Sequence, residues 1–159
     1  MVSETFVASD LASDTGEDTR PACARDSSLG VRKFPPPCVL VVDDEALVRW
    51  SVAETLGARG YQTLEAGSAA EAIDILMREP GIGAVLLDVL LPDNYDLSLL
   101  ATLRRMAPAV PVILMTAFST NALIEGAWRL GAFTVLNKPF EMNEIAPLIR
   151  EAMLANLPN

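Results

Sequence analysis

Five polar side chains lie at the end of, or just after, short runs of branched aliphatic residues. Their chemistry would allow them to bind a cation or to carry a phosphoryl group. They belong to Asp43, Asp44, Asp88, Thr116 and Lys138. Asp88 lies between the apolar stretches AVLL and VLLP, where a carboxylate costs free energy unless it is paired or bound to a metal. Clustered carboxylates repel one another, and Mg²⁺ prefers oxygen ligands of this kind. The set is therefore consistent with a magnesium site beside a reactive carboxylate.

Such a set also matches the chemistry of phosphoryl transfer, which depends mainly on positioning and on neutralising charge. With Asp43 and Asp44 holding Mg²⁺, the Asp88 carboxylate can act as a nucleophile and form an aspartyl phosphate. The cation, the Lys138 ammonium and the Thr116 hydroxyl would each meet one phosphoryl oxygen.

The elements that must position these side chains alternate along the chain. Strands are predicted over Val39–Val42, Tyr61–Glu65, Ala84–Leu87, Val112–Met115 and Thr134–Leu136. Helices are predicted over Ala46–Arg59, Ala69–Arg78, Leu97–Met106, Asn121–Leu130 and Asn143–Ala155. Alternation with short links predicts an α/β fold, a doubly wound five-stranded parallel sheet covered on both faces. Ligands bind such a sheet beyond the carboxyl ends of its strands, so the five polar side chains should converge there.

The composition limits the remaining possibilities. The chain has no histidine, so a Ser-His-Asp triad is excluded and any phosphohistidine must come from another molecule. The formal net charge of -9 argues against direct contact with nucleic acid or an anionic membrane surface. The N-terminus lacks the pattern of a signal peptide, and no apolar run is long enough for a membrane helix, so we expect a cytoplasmic protein.

The composition also changes near residue 38. Residues 1–37 are rich in Ser, Thr, Asp, Glu and Pro and predict a disordered N-terminal arm. Residues 38–156 form the predicted folded domain, and we expect no output domain. Cys23 and Cys38 show no metal-binding spacing and are expected to be two free cytosolic thiols.

Four stretches, VLVVDDE, LLDVLLP, VILMTA and GAFTVLNKPF, resemble the receiver domain of two-component response regulators. The resemblance covers about residues 38–155 and implies a flavodoxin-like (CheY-like) sheet with strand order 2-1-3-4-5. The stretch VRWSVAETL is more similar to receivers of the nitrogen-regulation NtrC type than to chemotaxis receivers.

The resemblance also implies roles for the candidate residues. Asp88 would be the phosphoacceptor, Thr116 the switch hydroxyl and Lys138 the partner of the phosphate. The implied Mg²⁺ ligands are Asp44, Asp88 and the backbone carbonyl of Leu90, with Asp43 helping largely through water. The bond between Lys138 and Pro139 is expected to be cis.

The implied partners follow from the same resemblance. The phosphoryl group would come from a sensor histidine kinase or a histidine phosphotransfer protein. Output would pass to a downstream protein through the face of the fourth helix, fifth strand and fifth helix, and a homodimer through the fourth-helix side is a further expectation. Trp128 lies on that helix beside Gly126, a residue that weakens a helix interior and suits a switch.

Four positions depart from the family pattern. Asp96 stands where a glycine is usual, so the loop after Asp88 is expected to follow a different backbone path. Val135 stands where an aromatic ring is usual, which argues against a switch that moves a ring inward. Leu90 and Phe118 are apolar where family members help to orient the hydrolytic water, which predicts a slowly hydrolysing phosphoryl group.

Two alternatives stay open at this point. One is a receiver-like binding module that is not phosphorylated. The other is a Mg²⁺-dependent phosphatase of the haloacid dehalogenase type, which normally carries a second aspartate two residues after its nucleophile. Leu90 occupies that position here, and no cap domain is visible.

Overall fold

A computed structural model describes residues 36–157 of the chain. The predicted disordered arm, residues 1–37, lies outside these residues except for its last two positions. The strands are β1 (Cys38–Val42), β2 (Gln62–Ala66), β3 (Ile82–Asp88), β4 (Val112–Thr116) and β5 (Thr134–Asn137). The helices are α1 (Ala46–Ala58), α2 (Ala69–Arg78), α3 (Ser98–Met106), α4 (Asn121–Arg129) and α5 (Met142–Ala155). Each predicted element is present within two residues of its predicted bounds.

The strands form one parallel sheet in the order β2-β1-β3-β4-β5, which confirms the predicted fold class and strand order. Alternate side chains of β1 enter two separate cores. Val39 and Val41 pack with α1 and α5, whereas Leu40 and Val42 pack with residues of α2, α3 and α4. Because both faces are covered, the polar side chains of this sheet are left at its edges, and the carboxyl edge receives the candidate site.

The helix ends follow the sequence signals closely. Gly60 and Gly131 adopt positive φ angles of 90° and 88° one residue beyond the C-caps of α1 and α4, a position that favours a left-handed glycine. The Ser68 hydroxyl caps α2 by accepting from the Glu71 N–H. The Glu71 carboxylate accepts from the Gly67 N–H at 2.8 Å instead of from the Ser68 N–H, so only half of a capping box is formed.

Cys38, at the start of β1, is 1% exposed and disulfide-bonded. The prediction of a free thiol at Cys38 is therefore wrong. The spacing of two cysteines without a motif does not show whether they form a disulfide, so the composition alone led to the wrong expectation. Cys23 lies outside the described residues.

None of the helices within residues 36–157 combines the length and the apolar character needed to cross a membrane.

Gly126 has a packing role that the sequence did not indicate. Gly126 lies inside α4, and a Cβ at this position would lie 3.0 Å from Cδ1 of Leu97. The glycine therefore lets α4 approach the segment before α3 closely. Gly57 in α1 offers a contrast, because a Cβ there would meet nothing within 4 Å.

We predict that Gly126→Ala and Leu97→Ala are energetically coupled. Alanine favours a helix over glycine by about 1 kcal/mol, but at residue 126 it must displace Leu97. Chemical denaturation should show that Gly126→Ala stabilises the fold more in the Leu97→Ala background than in the wild type, by about 0.5 kcal/mol or more. The control, Gly57→Ala, lies on the other side of the sheet and should give the same change in both backgrounds. Equal changes for Gly126→Ala in the two backgrounds would contradict this packing role.

Candidate functional site

The five predicted side chains lie at the carboxyl ends of four strands, with Asp43 and Asp44 both following β1. Asp43 follows β1, Asp88 ends β3, Thr116 ends β4 and Lys138 follows β5. The Lys138 Nζ lies 2.7 Å from Oδ2 of Asp43 and 3.0 Å from Oδ2 of Asp88. Oxygen atoms of Asp43, Asp44 and Asp88 lie within 4.8 Å of one another. The predicted convergence is therefore confirmed for the three carboxylates and the ammonium.

Asp43 is fully buried, and its groups are engaged on several sides. Its Oδ1 accepts from the Glu45 N–H at 2.9 Å, and its backbone N–H donates to the Ala66 carbonyl at 3.1 Å. Its own carbonyl accepts from Nη1 of Arg49 at 2.7 Å, and the same guanidinium pairs with Glu65 at 3.3 Å. Asp43 thus serves as a fixed anchor for Lys138 and for the loop between β1 and α1.

Asp88 is 6% exposed, and both of its carboxylate oxygens are engaged. Oδ1 accepts from the Leu90 N–H at 3.2 Å, and Oδ2 accepts from Lys138. Burial raises the pKa of Asp88 above its usual value, although the hydrogen bond and positive charge of Lys138 act in the opposite direction. The carboxylate is therefore held in one orientation in a place that disfavours its charge and favours a nearby cation.

Lys138 is oriented by its backbone as well as by its two carboxylate partners. Its peptide bond to Pro139 is cis, as predicted, and its N–H donates to the Thr116 carbonyl at 2.7 Å. Burial acts to lower the pKa of Lys138, but the hydrogen bonds to Asp43 and Asp88 outweigh it and raise that pKa. Lys138 is therefore a stable ammonium at the site.

Thr116 lies at the same edge but makes a local contact. Its β4 neighbour Met115 pairs with Asp88 across the sheet, so Thr116 lies one residue beyond the phosphoacceptor candidate. Its side chain is buried, and Oγ1 accepts from the Phe118 N–H at 3.1 Å. This contact uses the hydroxyl as an acceptor and leaves its proton available to donate.

Two groups at the site have oxygen atoms that accept no hydrogen bond from residues 36–157, so these oxygen atoms could bind Mg²⁺. Asp44 is exposed and makes no hydrogen bond or ion pair with any residue between 36 and 157. Within the same range, the Leu90 carbonyl accepts no hydrogen bond, while its N–H is bound to Asp88. A carboxylate without a partner beside two buried carboxylates suits a hard divalent cation with oxygen ligands, so the residues present fit Mg²⁺.

The departures from the family pattern also have structural outcomes. Asp96 is exposed and accepts from the Ser98 N–H, the first of α3, at 2.8 Å, and it lies outside the carboxylate cluster. Hydrogen bonds from Ser98 lower the pKa of Asp96. Val135 is partly buried against the core that contains α2, α3 and α4. Leu90 and Phe118, 44% and 74% exposed, flank the site with apolar surface.

A pocket of about 380 Å³ opens beside Lys138, and it was not predicted from the sequence. It lies between the start of α1 and the loops after β4 and β5, and it is lined by Glu45, Val48, Ala117, Lys138, Pro139, Phe140 and Met142. On α1, the apolar side chains of Leu47 and Trp50 are 74% and 57% exposed. The site is thus bordered by apolar surface that a partner protein could cover.

Comparisons with known proteins agree with this geometry. The transcriptional regulatory protein PdtaR of Mycobacterium tuberculosis is 36% identical over 122 residues, which are 74% of this chain and 57% of PdtaR. The chain thus spans little more than half of that relative. Sporulation initiation phosphotransferase F of Bacillus subtilis is 32% identical, over 71% of this chain and 90% of that protein. A CheY-like receiver domain from Methanospirillum hungatei superimposes with a TM-score of 0.73 at 23% identity, over 76% of this chain and 96% of that one.

The sequence also matches the family described as the response regulator receiver domain over residues 39–150. This match includes the five strands, except for Cys38 at the start of β1, and the acidic edge of the sheet. The chain belongs to the response regulator receiver domains of two-component signalling.

Proposed function

We propose that this chain accepts a phosphoryl group on Asp88 from a phosphohistidine of a partner protein and signals through protein contacts. One observation carries the proposal: Lys138 bridges the buried Asp43 and Asp88, while Asp44, with an oxygen within 4.8 Å of theirs, is exposed and pairs with no residue between 36 and 157. This arrangement leaves one nucleophilic carboxylate, one fixed ammonium and one free metal ligand at a single edge.

In the proposed reaction, an oxygen of Asp88 forms a bond to phosphorus as the bond from phosphorus to the donor imidazole nitrogen breaks. The imidazole leaves with the electron pair, and the product on this chain is an aspartyl phosphate. Lys138, kept cationic by its carboxylate neighbours, meets one phosphoryl oxygen. The Thr116 hydroxyl donates its proton toward another.

The same edge of the sheet would also bind a divalent cation. Asp44, Asp88 and the Leu90 carbonyl would hold Mg²⁺, with Asp43 contributing largely through water. When bound, the ion supplies positive charge that neutralises a phosphoryl oxygen.

The surface around the site would contact the partner proteins. The donor is a sensor histidine kinase or a histidine phosphotransfer protein, because this chain has no histidine of its own. Exposed Leu47 and Trp50, together with the pocket beside Lys138, support docking of the donor near α1. Trp128, 58% exposed on α4, supports output or homodimer contacts through the face of α4, β5 and α5.

The proposal is tested by incubating the protein with a small phosphodonor and Mg²⁺, with Asp88→Asn as the control. We expect one acid-stable, base-labile phosphorylation that is absent from the variant. Continuous turnover of the donor would favour a phosphatase. No labelling of the wild type would favour a binding module that does not use phosphorylation.

The flanking side chains predict a long-lived phosphoryl group. Leu90 and Phe118 present apolar atoms where a polar side chain could orient a water molecule. Decay of the phosphorylated protein, followed by intact mass, is expected to take much longer than seconds. The double change Leu90→Asn and Phe118→Gln should accelerate it several-fold, whereas Leu47→Asn, which changes an exposed apolar side chain on α1, should not. A wild-type lifetime of seconds would show that these apolar side chains do not protect the group.

A further inference from the structure

The loop between β3 and α3, residues 89–97, is fastened to the neighbouring helix α2 by one side chain. Asp93 accepts from the Ala69 N–H at 2.8 Å with Oδ1 and from the Ala70 N–H at 3.1 Å with Oδ2. These are the first two N–H groups of α2, which no carbonyl of the helix can reach. Both oxygens of one carboxylate are used, so the contact fixes the direction of the loop as well as its distance from α2.

The part of the loop that adjoins the site has a hydrogen-bonded contact at each of its two ends. At one end, the Leu90 N–H donates to Asp88. At the other, Leu91 and Asn94 exchange backbone hydrogen bonds of 2.8 and 3.2 Å, which closes a turn with Asp93 at its tip. The Leu90 carbonyl lies between the Asp88 contact and this turn, so its position depends on where the turn is anchored.

We propose that Asp93 is a positioning residue for the metal site. Its hydrogen bonds to α2 fix the position of the turn, and that turn positions the Leu90 carbonyl beside Asp88. This inference rests on the proposed function, in which that carbonyl is a Mg²⁺ ligand. Partners that orient metal ligands commonly matter for affinity even though they do not touch the ion.

Asp96 supplies a matched comparison in the same loop. It has the same charge and is also exposed, but its backbone hydrogen bond comes only from Ser98, two residues further along the chain at the start of α3. Hydrogen bonds from Ala69 and Ala70 lower the pKa of Asp93, as those from Ser98 lower that of Asp96. The two carboxylates therefore differ mainly in whether they reach across to a second element.

The test is Mg²⁺ binding by isothermal titration calorimetry to the wild type and to three variants. Asp93→Ala is expected to raise the Mg²⁺ dissociation constant about tenfold. Asp93→Asn, which keeps one acceptor oxygen, should give an intermediate value, and it remains informative if the alanine variant folds poorly. Asp96→Ala removes the same charge and should bind nearly as the wild type does.

A second measurement does not depend on the ion. Hydrogen exchange without Mg²⁺ should be faster at the Leu91 and Asn94 amides in Asp93→Ala and unchanged there in Asp96→Ala. Unaltered Mg²⁺ binding and exchange in Asp93→Ala would overturn the inference, and so would equal weakening by both alanine variants, because the effect would then be one of charge. A wild type that binds no Mg²⁺ would instead overturn the proposed function, and with it this role of Asp93.

Discussion

Replacing Lys138 with methionine is expected to lower the free energy of unfolding by about 3 kcal/mol at pH 7. The substitution leaves Asp43 and Asp88, 0% and 6% exposed, next to each other without their shared cation. We take the lower end of the cost of breaking a buried ion pair, because the edge of the sheet admits water beside exposed Asp44. The rate of phosphorylation of Asp88 should also fall about a hundredfold, since a fixed cation for a phosphoryl oxygen is lost.

The stability loss should depend on pH in a defined direction. In the wild type, Lys138 opposes the upward shift that burial gives to the pKa of Asp88. Without Lys138, that pKa rises further above its unfolded value. A carboxyl whose folded-state pKa is raised favours folding when protonated and loses that stability as the pH rises through the folded pKa. The penalty of Lys138→Met should therefore be larger at pH 7 than under acidic conditions where Asp88 is protonated.

A control variant shows whether the stability loss comes from the burial of the Lys138 contacts or would follow the loss of any ion pair. Arg78 pairs with Asp74 at 2.9 Å, but both side chains are more than half exposed. Arg78→Met should cost at most about 0.5 kcal/mol, with little dependence on pH. Urea unfolding at several pH values compares the two variants. Equal costs for both substitutions would contradict the view that burial makes the Lys138 contacts important.

Asp44→Asn is expected to raise the Mg²⁺ dissociation constant at least about tenfold without loss of stability. Asp44 is exposed and bonded to nothing within residues 36–157, so the fold does not depend on its charge. The substitution removes one of three neighbouring carboxylates, and the remaining two already share Lys138. Phosphorylation by a small phosphodonor should slow in parallel, and excess Mg²⁺ should restore part of the rate.

The control for Asp44→Asn is Asp74→Asn, which removes an exposed carboxylate from α2, away from the sheet edge. Calorimetry should find Mg²⁺ binding to this variant unchanged. If Asp44→Asn bound Mg²⁺ as tightly as the wild type, the acidic cluster would not be the metal site.

Much of the fold could be predicted because each strand is short, apolar and followed by polar residues. The continuous runs over β1, β3 and β4 indicated a sheet buried on both faces, and the parallel topology then placed Asp43, Asp88 and Lys138 together. The same reasoning could not show which atoms touch. That Lys138 bridges both buried aspartates depends on side-chain geometry at the ends of β1, β3 and β5, which no spacing in the sequence reports.

Other features were missed because their partners are distant in sequence. Asp93 contacts Ala69 and Ala70 across 24 and 23 positions, and a loop aspartate after a proline is an ordinary turn residue when seen alone. The contact between Arg49 and the Asp43 carbonyl gave no signal either, since an arginine on an amphipathic helix usually lies at the surface. Gly126 was interpreted through helix propensity alone, whereas its neighbour Leu97 explains the absence of a side chain.

Asp88 is the residue proposed to carry the phosphoryl group. Borohydride reduces an aspartyl phosphate to the alcohol, so treating the phosphorylated protein with it and mapping the reduced residue by peptide mass spectrometry identifies the acceptor. We expect reduction at Asp88 alone, dependent on Mg²⁺ and on the phosphodonor. Reduction at Asp43 or Asp44 in place of Asp88, or no reduced residue after treatment with donor and Mg²⁺, would show that Asp88 is not the phosphoacceptor.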